Sequence, residues 1–316
     1  MRYRHKSMHE GQAQCDDMFL LSRGVGDPIL FLHGIPTSCH LWDGVIERMS
    51  GQFSCLAVDL PGLGRTARRR RGFGELSDLV VAIDTIRVSN KIDKWHIVGH
   101  DAGCAIAVRY AHQHPEHTSR LALLTPSIFP ELEPFFLFEM LRKPLLGEMI
   151  APAVNLIFWK LVMRRIFDGD RTLAAAIKDF HAPFTGLLGS WRLMSLLRWG
   201  QPTQVLASIP GLLPELRMPT LVMHGLRDPA VPESFATWAS ELIPNSEKML
   251  LDTGHFLPMN EPALIADKLL SFFDSKSASV SRHCDSPAIA EYSGLPNAQG
   301  WGAQLPHAAQ PATASS

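Results

Sequence analysis

Trp95-His96-Ile97-Val98-Gly99-His100-Asp101-Ala102-Gly103-Cys104 joins a buried strand to a helix through a turn flanked by glycines. The apolar run Trp95 to Val98 has the length and composition of a core strand. The run from Cys104 to Ala111 is rich in small and apolar residues and reads as a helix. Between them sits Asp101. At a helix start an aspartate has an ordinary role as N-cap. In a tight turn at the end of a strand, the same carboxylate is also placed to attack a carbon atom.

On either side of this stretch, short apolar strands alternate with helical patterns. Ile29–Leu32, Cys55–Val58, Leu121–Leu124, Thr220–Met223 and Met249–Leu251 read as strands, and Leu79–Val88 as a helix capped by Ser77. That alternation predicts a mostly parallel sheet with helices on both faces. The rhythm breaks between about Pro126 and Met218, where Phe135, Phe136, Phe138, Phe158, Trp159, Phe180, Phe184, Trp191 and Trp199 lie among helix-forming residues. The expected division is a core over residues 1–126, a helical insertion over 127–217 covering the core like a lid, a second core segment over 218–275 and a tail over 276–316. The tail is dominated by Ser, Ala, Pro and Gly and predicts disorder.

Composition sets bounds on partners. Thirty Lys and Arg against 31 Asp and Glu leave a net charge of −1, which argues against a nucleic-acid partner held by charge. The basic run Arg68–Arg71 reads as a solvated loop. The five cysteines show neither metal-ligand spacing nor an even disulfide framework, which points to a reducing compartment. The basic start, Met1 to Lys6, is not followed by a signal-type apolar stretch. The apolar runs Met149–Trp159 and Trp199–Pro214 are short or broken by proline, so no membrane span is expected. The expected location is the cytoplasm. No metal and no organic cofactor are implied, and the oligomeric state is open.

Five motifs in order now carry a resemblance. They are His33-Gly34-Ile35-Pro36-Thr37-Ser38, Asp59-Leu60-Pro61-Gly62-Leu63-Gly64, the Gly99–Gly103 turn, Gly225-Leu226-Arg227-Asp228, and Gly254-His255-Phe256. Across Asp27 to Asp274 the chain resembles the α/β hydrolase superfamily, and within it the aspartate-nucleophile group of haloalkane dehalogenases and epoxide hydrolases. The resemblance implies an α/β-hydrolase fold with an inserted helical lid. It implies Asp101 as nucleophile, His255 as general base for water, and Asp228 as the acid that orients the imidazole. The backbone N–H groups of Ile35 and Ala102 are the implied oxyanion donors. Asp228 has an ordinary rival role as a turn residue before Pro229. His33 and His100 read as loop-shaping hydrogen-bonding residues and Cys104 as a small buried one.

The leaving group is less well specified. Dehalogenases of this group place an indole after the nucleophile, and many add an asparagine in the His-Gly-x-Pro loop; here those positions are Ala102 and Ile35, whose side chains donate nothing. The arginines that fluoroacetate dehalogenases place after the nucleophile are also missing. Epoxide hydrolases use lid tyrosines, and the only tyrosines are Tyr3, Tyr110 and Tyr292. The lid indoles Trp159, Trp191 and Trp199 are therefore the candidate pocket donors, with core packing as the rival role of each. The reading favoured is a dehalogenase-like hydrolase acting with water on a small apolar substrate. An epoxide hydrolase, an ester or lactone hydrolase, and a ligand-binding member of the fold without hydrolysis stay open. Contact of the lid with a partner or a membrane surface is a further possibility, marked by an exposed apolar lid patch.

Overall fold

A computed structural model describes residues 18–66, 75–133, 136–166, 174–199 and 202–274. Seven strands, β1 (Leu20–Arg23), β2 (Asp27–Leu32), β3 (Phe53–Val58), β4 (Trp95–Asp101), β5 (Thr118–Pro126), β6 (Thr220–Gly225) and β7 (Ser246–Leu251), form one sheet in the order β1-β3-β2-β4-β5-β6-β7. Only the β1–β3 pair is antiparallel. The central strands are buried along nearly their whole length, as strands covered on both faces must be. That is why they appear in the sequence as unbroken apolar runs rather than alternating ones.

The helices are α1 (Asp43–Met49), α2 (Leu76–Ser89), α3 (Ala102–Gln113), α4 (Phe136–Arg142), α5 (Leu146–Ile157), α6 (Met163–Ile166), α7 (Ala174–His181), α8 (Gly186–Trp199), α9 (Pro202–Val205), α10 (Ile209–Leu212), α11 (Glu233–Leu242), α12 (Leu257–Asn260) and α13 (Pro262–Asp274). One π-helical turn, Phe158–Val162, links α5 to α6. Between β5 and β6 the described residues from Phe136 onward are mainly helical, and no strand occurs among them.

Two expectations need correcting. The edge strand β1 is not among the expected strands, because its Leu20-Leu21-Ser22-Arg23 has a mixed pattern: it pairs with β3 along one edge and is only partly buried. Helix α2 begins at Leu76 rather than Leu79, and its cap is Glu75 rather than Ser77. Glu75 and Asp78 form a reciprocal capping box, which satisfies two amide donors where a lone serine would satisfy one. The Arg68–Arg71 run, Cys15, Cys284 and the tail from residue 276 lie outside the described residues.

The carboxyl ends of the parallel strands all open on one edge of the sheet, where ligands bind in α/β folds of this kind. The loop His33–Pro36 leaves β2, Asp59 follows β3, Asp101 ends β4, Ser127 follows β5, Asp228 follows β6 and His255 follows β7.

Candidate active site

Asp101 is held in an unusual backbone conformation. Its φ is 50° and its ψ −123°, a region an L-residue with a side chain rarely adopts. Strain of this kind persists only where neighbours overdetermine it. The flanking glycines show how. A Cβ on Gly103 would lie 2.4 Å from the Leu32 carbonyl oxygen, and one on Gly99 would lie 2.9 Å from the backbone of Cys104. Helix α3 therefore starts hard against the ends of β2 and β4, and the turn between them presents the Asp101 side chain at the sheet edge.

The carboxylate meets the β2 loop directly. The Ile35 N–H donates to Asp101 Oδ2 at 3.0 Å. Ala102, whose N–H is the other expected donor, is the first residue of α3 and lines the same cavity. The His33 ring holds this loop in shape: Nδ1 donates to the Gly34 carbonyl at 2.8 Å, and Nε2 accepts from Leu60 N–H at 3.0 Å. Both ring nitrogens are thereby used in a neutral imidazole, and burial lowers the His33 pKa in the same sense.

His255 and Asp228 form a buried pair. His255 Nδ1 donates to Asp228 Oδ2 at 2.8 Å. The other oxygen of Asp228 accepts from the N–H groups of Ala230 and Val231 at 2.7 and 3.1 Å. Asp228 thus holds the turn before Ala230 and Val231 with one oxygen and the His255 ring with the other. With Nδ1 engaged, Nε2 is the nitrogen of His255 left for chemistry. The main chain of His255 is pinned as well: its carbonyl accepts from His100 Nε2 at 3.0 Å. His100 is fully buried, and burial with the adjacent His255 lowers its pKa to about 3, so it stays neutral as a scaffold residue.

Burial pulls the His255 pKa down, but the charge and hydrogen bond of Asp228, with the charge of Asp101, outweigh it and leave it raised. For Asp228 burial pushes upward, and the His255 charge and hydrogen bond with the two amides leave it lowered. The stabilisation from charged His255 is present below its unfolded pKa and is lost as pH rises through the raised folded value. Replacing Asp101 by Asn removes one upward contribution, so the His255 pKa is expected to fall in Asp101→Asn. Proton NMR titration of the imidazole in both proteins checks this; an unchanged pKa would show that the two groups do not sense each other.

Ile35, Asp101, Ala102 and His255 line a cavity of about 180 Å³, with Asp228 behind His255. An apolar cavity of ~150 Å³ holds a benzene molecule, so the space suits a small ligand. The wall is mainly apolar, with Phe138, Phe158, Met163, Leu193 and Leu197 from the helical segment. Arg142 also reaches the wall, paired with Glu139 and bonded to the Leu197 carbonyl at 3.0 Å.

The indole expectation fails for two of its three residues. Trp159 is buried away from the cavity, stacked on His181 and Phe184 at 4.9 and 5.7 Å between ring centroids. Its neighbour Phe158 lines the cavity instead, because consecutive residues of the π-helical turn point in different directions. Trp191 is 48% exposed, on the side of α8 opposite the cavity-lining Leu193 and Leu197. The side chain of Trp199 lies outside the described residues. Sequence reasoning missed Ser127, which is buried in the cavity wall one residue beyond Pro126, the β5 register partner of Asp101. Its position just past a strand end was the available signal.

Among known proteins, the family model described as alpha/beta hydrolase fold matches residues 27–262. The chain therefore belongs to the α/β hydrolase fold family. It is 24% identical over 271 residues to the 2-hydroxy-6-oxo-6-(2'-aminophenyl)hexa-2,4-dienoic acid hydrolase of Metapseudomonas resinovorans, covering 83% of this chain and 89% of that protein. The haloalkane dehalogenase DbeA of Bradyrhizobium elkani superposes with a TM-score of 0.68 at 22% identity, over 81% of this chain and 93% of that one. The enol-lactonase of Burkholderia xenovorans LB400 superposes with a TM-score of 0.63 at 17% identity, over 81% and 96%. Among the described residues no group of side chains is arranged to hold a metal ion, and no helix is long and apolar enough to cross a membrane.

Proposed function

We propose that this family member is a hydrolase that attacks a small apolar substrate with Asp101 and passes through a covalent alkyl ester, as in a haloalkane dehalogenase. One observation carries the reading. The Ile35 N–H, one of the two expected oxyanion donors, is bonded to the second carboxylate oxygen of Asp101 itself. In acyl transfer by a hydroxyl, such donors serve a carbonyl of the substrate. In the ester route the oxyanion forms on the enzyme's own carboxylate, and that is the oxygen held here.

One oxygen of Asp101 bonds to the substrate carbon, and the departing atom leaves with the electron pair of its old bond. His255 Nε2 then takes a proton from water, and the hydroxide bonds to Cγ of the Asp101 ester. The oxyanion on Oδ2 is held by the Ile35 and Ala102 N–H groups. Its collapse breaks the bond to the alkyl oxygen, which leaves as an alcohol with the proton from His255. The new carboxyl group releases a proton, so the products are an alcohol, a proton and the departing anion.

With Trp159 and Trp191 turned away, the buried hydroxyl of Ser127 is the neutral side-chain donor of the described wall and takes the departing atom. An epoxide hydrolase is less well supported, since Tyr110 lies outside the cavity lining and gives its hydroxyl to Asp84 at 2.9 Å. The reading is tested on short haloalkanes, with epoxides, esters and lactones as comparison substrates. Asp101→Ala is expected to lose turnover by roughly 10⁴-fold or more. Full turnover in that variant would exclude the carboxylate as nucleophile. Ligand binding without turnover of any of these substrates by the unaltered protein would make it a binding member of the fold.

A further inference from the structure

We infer that the outer face of α5 is a docking surface for an anionic lipid bilayer. Helix α5 and the turn after it are two-sided. The inner side is buried at Ala151, Val154, Asn155, Phe158 and Trp159, and Phe158 reaches the cavity. The outer side is exposed and mainly apolar. Leu145 is 80% exposed, Met149 80%, Leu156 52% and Leu161 66%. Met149 and Leu156, seven residues or two turns apart, lie on one face of α5 about 10 Å from each other at 1.5 Å per residue, and Leu145 and Leu161 flank them at the two ends of the helix. A water-facing helix surface normally carries charge there, and a contiguous exposed apolar stripe marks an interaction site.

The charges around the stripe choose the occupant. Lys143 lies just before it and Lys160 within its last turn, and both are exposed. The acidic residue of the same helix, Glu148, is engaged by Arg198 through two hydrogen bonds of 2.6 and 3.0 Å. The stripe thus presents apolar side chains between two cations. That is the pattern of a helix lying in the interface of a bilayer with negative headgroups. A second copy of this chain fits less well. Two α5 helices packed antiparallel about a two-fold axis would bring Lys143 of one copy against Lys160 of the other, like charge on like. The inference does not depend on which reaction the cavity performs.

Vesicle flotation of the full chain tests it. The protein is expected to float with vesicles of phosphatidylcholine containing roughly one-third phosphatidylglycerol, and to bind pure phosphatidylcholine more weakly. The double variant Met149→Glu, Leu156→Glu is expected to lose about tenfold or more in partitioning, with an unchanged thermal melt because both residues are exposed. The variant Lys143→Glu, Lys160→Glu keeps the apolar stripe and is expected to lose the preference for anionic vesicles. Absence of binding by the unaltered protein would overturn the inference, as would equal binding by the Glu double variant. A dimer in sedimentation that the Glu double variant converts to monomer would assign the face to self-association and overturn it too.

Discussion

In His255→Gln, a haloalkane that the unaltered protein turns over is expected to stop half-way, as an ester on Asp101. The first step needs only the carboxylate and a carbon with a departing group, and Gln keeps the shape of the site without a basic nitrogen. The second step needs a base for water, and loss of a positioned general base slows such a step roughly 10²–10⁴-fold. The peptide containing Asp101 should then gain the mass of the alkyl group. His255 is suited to this division because its raised pKa rests partly on the charge of Asp101. Ester formation removes that charge, so the imidazole becomes easier to deprotonate at the stage when a free base is required. Accumulation of unmodified Asp101 with no first turnover would place His255 in the first step instead.

The second large effect is structural. Gly103→Ala is expected to destabilise the protein by about 3 kcal/mol or more, the upper end for forcing atoms into a packed core. The added methyl would meet the Leu32 carbonyl oxygen at 2.4 Å and the His33 carbonyl oxygen at 2.8 Å. Both are backbone atoms at the end of a central strand, so neither can swing aside. Relief requires α3 to move off β2, which also disturbs the Asp101 turn. For a protein of this size that loss corresponds to a fall in melting temperature of roughly 5 °C. Gly211→Ala is the control, since a Cβ there meets nothing within 4 Å. Equal melting of the two variants would show that the close approach of α3 to β2 is not part of the fold's stability.

The parallel core was legible because its strands are buried on both faces and so read as apolar runs. The placing of Asp101, Asp228 and His255 at strand ends was legible for a related reason: each comes at the end of such a run within a glycine-led loop. The structure adds that His255 bonds Asp228 and that Ile35 bonds Asp101. The cavity wall was harder to read. In a turn covered on one side, the choice between Phe158 and Trp159 depends on a rotation about the helix axis that composition does not reveal. The same holds for Trp191 against Leu193. Edge strand β1 was hidden because one of its faces is half solvated and its pattern is mixed. Ser127 was overlooked because a lone serine has no signature beyond its place after a strand.

The proposed ester on Asp101 makes a definite claim about the origin of one oxygen atom. With enzyme in excess over substrate, a single turnover in ¹⁸O-water should place the label in the Asp101 carboxylate and leave the product alcohol unlabelled, since its oxygen comes from the enzyme. Label in the alcohol of that first turnover, with none in Asp101, would mean that water attacks the substrate directly and would contradict the account.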